Sequence, residues 1–428
     1  MKVEAKLYRD ARDDGMSEWF SRCYTAGDGL AMTEQKRLQS ESDYTNGSYY
    51  RTSPDNGRTW GEWIPAEKGT AQVFGDHERE APESDRSEMN FVLDPVHGNY
   101  VGLAMDRVYK NGHEAAYRAF WSSGEVGFSD HTYLLVRRPD GTSFSQLVKY
   151  EEGDDFDPDD PVAPGYFDRN ESYRGMNLVA EENGDLILLV CPPVRKCCEI
   201  AGLDVESVFP SAPDIMHGVM AVRAEWDGEK YRFTPSRPVV ISDRLSSRGV
   251  DEATVAKLAS GRILIVFRGS NVRSENWHTR IEPGAPGFKW YCFSDDGGLT
   301  FSEPAPWRFD DGEAVYSSAS ISYLFRGEKN GKLYWIGNVT DHRVSGNFPR
   351  WPLCIARVDE TWGTLKKDTL TVIDTVRPEE SRQVQLSNFS FWQNRETGKL
   401  ELFVTKIGQF PDETVWKSEV WHYTVTLE

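Results

Sequence analysis

No run of eighteen apolar residues occurs in this chain of 428, so nothing in it reads as a membrane-spanning helix. The opening Met1-Lys2-Val3-Glu4-Ala5 lacks the apolar core of a secretory leader. The expectation is a cytoplasmic location as the chain stands, or a periplasmic or secreted one if a leader was removed. Positive charge is scarce: 49 Lys and Arg face 68 Asp and Glu, a formal charge of −19. Such a chain repels nucleic-acid phosphates and anionic bilayers, which argues against both as partners. An anionic small substrate would need a local arginine cluster. Cysteine is sparse too. The six present include the adjacent pair Cys197-Cys198, with no Cys-x-x-Cys and no framework spacing. They read as free thiols, which mildly favours a reducing compartment.

What the chain does have is aromatic residues (12%, including 14 Trp) and 36 glycines, a composition suited to many short strands and tight turns. Six turn signals lie between extended apolar runs: Asp28-Gly29, His97-Gly98, Asn183-Gly184, Ser260-Gly261, Asn330-Gly331 and Thr397-Gly398. Their glycines are 69, 86, 77, 70 and 67 residues apart, a structural repeat. The runs after the turns include Tyr100 to Met105, Asp185 to Cys191, Arg262 to Arg268, Lys332 to Val339 and Leu400 to Lys406. Most units add a second hairpin, among them Tyr49 to Trp63, Val219 to Phe233 and Trp290 to Phe301. Two hairpins make four antiparallel strands, one propeller blade. The prediction is an all-β, six-bladed β-propeller of four-stranded antiparallel blades spanning residues 1–428 as one domain, with almost no helix. The last strand, Glu419 to Thr426, is expected to pair with the N-terminal segment.

One eight-residue pattern occurs twice, as Ser53-Pro54-Asp55-Asn56-Gly57-Arg58-Thr59-Trp60 and as Ser294-Asp295-Asp296-Gly297-Gly298-Leu299-Thr300-Phe301. Both read Ser-x-Asp-x-Gly-x-Thr-aromatic. The carboxylate is suited to bonding turn amides, and glycine accepts a positive φ. The two copies resemble the Asp-box of the sialidase (neuraminidase) superfamily, whose fold is a β-propeller. The motif's implied role is structural.

Propeller geometry brings the starts of first strands, the ends of second strands and the starts of third strands to one mouth. That mouth is expected to gather Glu88, Arg174, Asp251, Glu252, Tyr316 and Gln385 from first strands. It gathers Arg107, Arg195, Arg268, His342 and Lys406 from second-strand ends, and His131, His217, Lys289 and Arg350 from third-strand starts. Acids, bases and guanidinium groups converging on a rigid scaffold make a site-like constellation. The stretch Asp251-Glu252 through Gly261 to Arg268 resembles the sialidase segment in which Glu opens a strand, Gly turns it and Arg ends its partner. The resemblance implies that Arg268 grips a substrate carboxylate, with Glu252 beside the reaction centre. It implies the same grip for Arg350, and it matches Tyr316-Ser317 to the family's nucleophile dipeptide, one blade early. Lys257 stands where the family has a second Glu, and the N-terminal Arg-Ile-Pro motif is absent.

Each candidate has a plainer reading. Arg174, Arg268 and Arg350 would serve equally as salt-bridged rim residues, Asp251 and Glu252 as a solvated turn pair. His131, His217 and His342 would serve as surface or core imidazoles, and Tyr316 as a core ring. Trp277 and Trp290 suit either a sugar ring or inter-blade packing. The acidic run from Glu151 to Asp160 has oxygen ligands for Ca²⁺ but reads first as a solvated loop. No cofactor and no catalytic metal are expected. The leading functional expectation is an exo-acting glycoside hydrolase on an acidic or decorated glycan, with an oligosaccharide or polysaccharide as partner. A polysaccharide lyase on a uronate, with Arg, His and Tyr in play, is the first alternative. A non-catalytic glycan-binding propeller is the second.

Overall fold

The computed structural model describes residues 1–428 except 13–14, 42–43, 67–71, 80–90, 117–126, 154, 274–278 and 412. Six antiparallel sheets form the blades of a propeller. Blade 1 runs Ser17–Tyr24, Met32–Gln39, Gly47–Ser53 and Ile64–Pro65 from the central channel outward. Blade 2 is Val92–Leu93, Tyr100–Lys110, Phe128–Arg137 and Ser143–Leu147, with the small hairpin Gln72–Phe74/His77–Arg79 added beside the end of its second strand. Blade 3 is Tyr173–Ala180, Leu186–Cys191, Met220–Trp226 and Tyr231–Pro235. Blade 4 is Asp251–Lys257, Ile263–Arg268, Lys289–Ser294 and Ala305–Pro306. Blade 5 is Ser322–Arg326, Leu333–Asn338, Leu353–Asp359 and Thr364–Leu365, with Thr371–Asp374 also on its third strand.

Blade 6 departs from the expected pair of hairpins. Its Phe389–Gln393, Leu400–Thr405 and Glu419–Thr426 are completed by the N-terminal Lys2–Asp10, in register from Lys2↔Thr426 to Asp10↔Glu419. Backbone hydrogen bonds between the two chain ends therefore complete this blade, with Lys2–Asp10 as its outermost strand.

The apolar core lies between neighbouring blades. Ile187 and Leu189 of blade 3 pack with Val255, Ile265 and Phe267 of blade 4. Leu264 and Val266, on the other side of blade 4, pack with Trp335 and Ala356 of blade 5. A strand alternates its side chains, so a blade sandwiched on both faces must be apolar throughout. Every residue of Leu186–Cys191, Ile263–Arg268 and Leu400–Thr405 is buried accordingly. Asn177 ties three inner strands across the channel. Its amide donates to the carbonyls of Val255 (2.8 Å) and Leu324 (3.0 Å), and its Oδ1 accepts from Thr254 Oγ1 and Val255 N, both at 2.8 Å.

Helix is present where almost none was expected: Val194–Ala201, with a short turn of helix at Val205–Val208, in the connection after blade 3's second strand. Val194, Cys197 and Cys198 form its buried stripe, and Gly202 ends it at φ 67°. The adjacent cysteines are thus helix core, and all six cysteines are buried free thiols.

The two repeated turns adopt one hydrogen-bond pattern. Ser53 Oγ donates to Asp55 Oδ1 (2.9 Å) and accepts from Gly57 N (2.9 Å), while Thr59 donates through N (2.8 Å) and Oγ1 (2.7 Å) to the Asp55 carboxylate. Ser294, Asp296, Gly298 and Thr300 repeat it at 2.7, 2.8, 2.9 and 2.6 Å. Arg58 pairs with Glu396 and Arg262 with Asp295, so these turns share an end of the propeller with the first-hairpin turns.

Candidate functional site

At the opposite end, isolated backbone bridges show the expected convergence residue by residue. The segment opening blade 3 meets the third strand of blade 2 at Glu171↔His131, and that opening blade 4 meets blade 3 at Gly249↔His217. Tyr316↔Phe288 and Gln385↔Arg350 repeat the arrangement, and Tyr316 and Gln385 also bridge Thr340 and Ile407 in their own blades. Gly249 is required there: it sits at φ 68°, and a Cβ would lie 2.2 Å from the His217 carbonyl oxygen.

The centre of this mouth is built on blade 4. Asp251 opens its first strand opposite Arg268, the last residue of its second, and Lys289 lies beside Arg268 in the third. The register breaks between Asp251 and Thr254, and in that bulge Glu252 takes φ 47°. A non-glycine residue in the left-handed region costs about 1–3 kcal/mol, and such residues gather at working sites. The bulge turns the Glu252 side chain onto Arg268, whose NH1 donates to Oε1 at 2.7 Å, while NH2 lies 3.5 Å from Asp251 Oδ2. The second carboxylate oxygen of Glu252 is buried and has no hydrogen-bond partner among the described residues, and neither has Arg268 Nε. One guanidinium thus serves two carboxylates.

His217 completes the group, with Nδ1 3.8 Å from Asp251 Oδ1 and its ring 6.1 Å from that of Tyr173. Burial lowers the imidazole below its ordinary value, against the pull of Asp251 and Asp130, which favours the neutral ring. Burial would raise Asp251, but Arg268, His217 and Arg248 outweigh it and hold the carboxyl low. Tyr173 is pushed well above its ordinary value by burial and then by the Glu252 charge, so its phenol keeps its proton. Arg107 grips Asp130 with both arms, at 2.6 and 2.7 Å.

The candidates read from the sequence therefore divide. Asp251, Glu252, Arg268 and His217 come together directly. Arg350 lies nearby, donating to Gln385 Oε1 at 2.8 Å, and its charge acts on Lys289. Arg174 is the second residue of blade 3's first strand, and its charge acts on Tyr173. Tyr316 stacks on Phe288, ring centroids 5.5 Å apart. His131 is wholly buried against Phe156 and Tyr166, with its Nε2 3.2 Å from the Arg169 carbonyl oxygen, and burial lowers it to about 4. That is the surrounding of a core imidazole. His342 is 63% exposed and bonds Asp341 at 2.6 Å, away from the group on Arg268. Glu88 and Trp277 lie outside the described residues. In the acidic run, Glu151 pairs with Lys196 and Asp155 with Arg169, and no metal-holding group of three His, Cys, Asp or Glu occurs among the described residues. Sequence reasoning missed Tyr173, Arg248 and Asp130 as members. Only the position of Tyr173 at the opening of a first strand, matching Asp251, signals it in the sequence.

A cavity of about 1020 Å³ opens at the other end of the channel, lined by residues including Tyr24, Glu181, Lys257 and Arg326 and floored by Asn177. Of its cations, Arg223 and Lys257 pair with Glu181, Arg326 with Glu360 and Arg22 with Glu34, while Arg395 donates to the carbonyls of Gly29 and Ala26. The strained, incompletely paired carboxylate lies at the mouth, not in this cavity.

No protein-family model matches the sequence, and no curated protein matches it. Solved structures do. A mutant of NanB sialidase from Streptococcus pneumoniae superposes with a TM-score of 0.54 at 10% identity, covering 98% of this chain and 70% of that one. Trypanosoma rangeli sialidase gives 0.51 at 12%, covering 99% of this chain and 59% of that one. The likeness is one of fold: a six-bladed propeller of four-stranded antiparallel sheets.

Proposed function

We propose that this chain is a carbohydrate-active enzyme, an exo-acting glycoside hydrolase that takes an acidic or decorated sugar at the end of a glycan. The observation that carries the reading is Glu252: a buried carboxylate in a left-handed backbone, one oxygen on Arg268 and the other without a partner among the described residues. Asp251 adjoins it and is held ionised. Two carboxylates at the reacting carbon suit an oxocarbenium-like transition state, because fixed negative charge costs no reorganisation when positive charge develops. Arg268 acts by holding both carboxylates in place. Recognition of the sugar's acidic group falls to Arg174, Arg248 and Arg350, whose charges act on Tyr173, Asp251 and Lys289 respectively. The propeller shared with two sialidases is consistent with this reading and adds no substrate of its own.

The test is a panel of aryl glycosides of sialic acid, uronic acids and arabinofuranose, read as aglycone release. Glu252→Gln is expected to lower turnover by about two to four orders of magnitude while leaving the fold intact. Full turnover in that variant, or in Arg268→Ala, sinks the assignment.

A second reading has its own observation. A neutral His217 and a protonated Tyr173, rings 6.1 Å apart, suit a base and an acid for β-elimination from a uronate. Its signature is the ultraviolet absorbance of an unsaturated uronate product, which hydrolysis does not produce.

A further inference from the structure

Lys289 is a buried lysine that the proposed reaction does not use. It opens blade 4's third strand, is 0% exposed, and donates from its amine to the Ser320 carbonyl. Among the described residues no carboxylate lies within ion-pair distance of that amine. This is unusual, because a lysine in the interior ordinarily has an acidic partner. Two other buried polar systems of this molecule follow that rule: Lys406 lies 2.7 Å from Asp374 and 3.0 Å from Glu380, and Glu34 has two arginines.

Its surroundings say what the exception does. Lys289 lies in one row with Arg268 and Asp251, across three neighbouring strands. Its strongest electrostatic partner is Glu252, followed by Arg268 and Arg350. The carbonyl it holds belongs to the segment between Tyr316 and the first strand of blade 5, whose Ser317, Ser318 and Ser320 are buried and bond to one another's backbone or to Pro349. Tyr316 is the titratable side chain on that segment. One amine thus ties blade 4 to the wall of blade 5 and places a cation beneath the mouth's incompletely paired carboxylate.

We propose that Lys289 is a positioning residue that sets the affinity of the mouth for anionic sugars through its own protonation. Charged, it offsets the carboxylates above it and favours an anion in the site. Neutral, it keeps the tie to Ser320 and withdraws that field. Burial lowers the amine to about 7, against Glu252, so the change falls near neutral pH. The proposal rests on the mouth being the glycan site, and the experiment separates the two.

The parent, Lys289→Met and Lys289→Arg are compared in two measurements. The first needs no ligand. A lysine depressed to about 7 in the folded chain and ordinary when unfolded makes stability rise with pH from about 7 up to the normal lysine range, since the unfolded chain then holds the extra proton. Parent protein is expected to show that rise in urea unfolding. Lys289→Met is expected to lack it while folding at least as well at pH 6. Equal pH slopes in parent and Met variant overturn the proposal. The second measurement is calorimetric binding of free sialic acid and of glucuronic acid at pH 6 and pH 8. Parent affinity is expected to fall roughly tenfold across that interval, with the Arg variant holding its affinity and the Met variant weak at both values. A parent affinity that does not change with pH overturns the proposal even if the stability slope appears. No binding of either sugar, with the slope present, defeats the glycan-site reading and the positioning role together, leaving Lys289 a buried structural amine.

Discussion

Two buried arginine–carboxylate groups in this molecule are built from the same parts and left in opposite states. Where blade 1 meets blade 6, Glu34 accepts from Tyr8 Oη at 2.8 Å, from Arg51 at 2.7 and 3.0 Å, and from Arg22 Nε on its other oxygen. The arginines are roofed by indole rings: Arg51 stands 4.4 Å over Trp63, and Arg22 4.9 Å over Trp60 and 5.0 Å over Trp392. Glu34 has ordinary strand backbone, and both its oxygens are partnered. At the mouth, Glu252 has one arginine, a left-handed φ and an oxygen orphaned among the described residues, and its arginine is shared with Asp251. The first group closes a ring, and its carboxylate is fully satisfied. The second keeps one carboxylate oxygen without a partner among the described residues. A buried polar atom without a partner costs about 1–3 kcal/mol, so the second group contributes less stability than the first.

The largest effect expected from that contrast is on stability at the seam. Glu34→Ala leaves Arg22 and Arg51 facing each other without a counter-charge. Breaking a buried pair in this way costs about 3–5 kcal/mol, and the partial exposure of the arginines, 12% and 20%, puts the expectation near the lower end. Urea unfolding measures it. A loss under about 1 kcal/mol would mean that the indole roof, not the carboxylate, holds the seam. At the mouth, Glu252→Gln is expected to cost at most about 1–2 kcal/mol, because Asp251 remains to balance Arg268. The same unfolding curve checks it. If the two variants lose equal stability, the mouth carboxylate is as structural as the seam's, and the contrast fails.

The two regions also differ in how far a sequence can show them. The propeller is legible because its signals are local: glycine turns at 67 to 86 residue intervals, each flanked by strand-like runs. The pairing of Asp251, Glu252 and Arg268 is legible for the same reason, since one hairpin carries all three. Tyr173, Arg248 and Asp130 reach that group from other blades or connections, and only the strand-opening position of Tyr173 hints at the meeting. His131 shows the opposite failure. Strand position alone sends it to the mouth, yet Phe156 and Tyr166 fold over it from a loop whose course no periodicity announces. The helix Val194–Ala201 was missed because eight residues with three buried positions fall below what a helical period can reveal. The seam's Tyr8 was legible only through the expectation that the chain ends pair, which the register from Lys2 to Asp10 bears out.

The smallest expected effect lies at neither group but at the two repeated turns, in blades 1 and 4. Asp55 is half-buried and Asp296 exposed, and each carboxylate accepts from the amide and hydroxyl of a threonine and the hydroxyl of a serine, which holds both near 2 rather than 3.8. A carboxyl lowered on folding adds stability that is present above its unfolded value and disappears as pH falls through its folded one. Parent protein is therefore expected to lose melting temperature between pH 4 and pH 2 more steeply than Asp55→Asn or Asp296→Asn, with the parent–variant gap constant above about pH 5. Because the two turns share every bond of the pattern, the two variants are expected to change the slope equally. Unequal slopes would show that the rest of each blade, rather than the eight-residue turn, sets what the carboxylate contributes. Solvent screening keeps either change well below the one at Glu34.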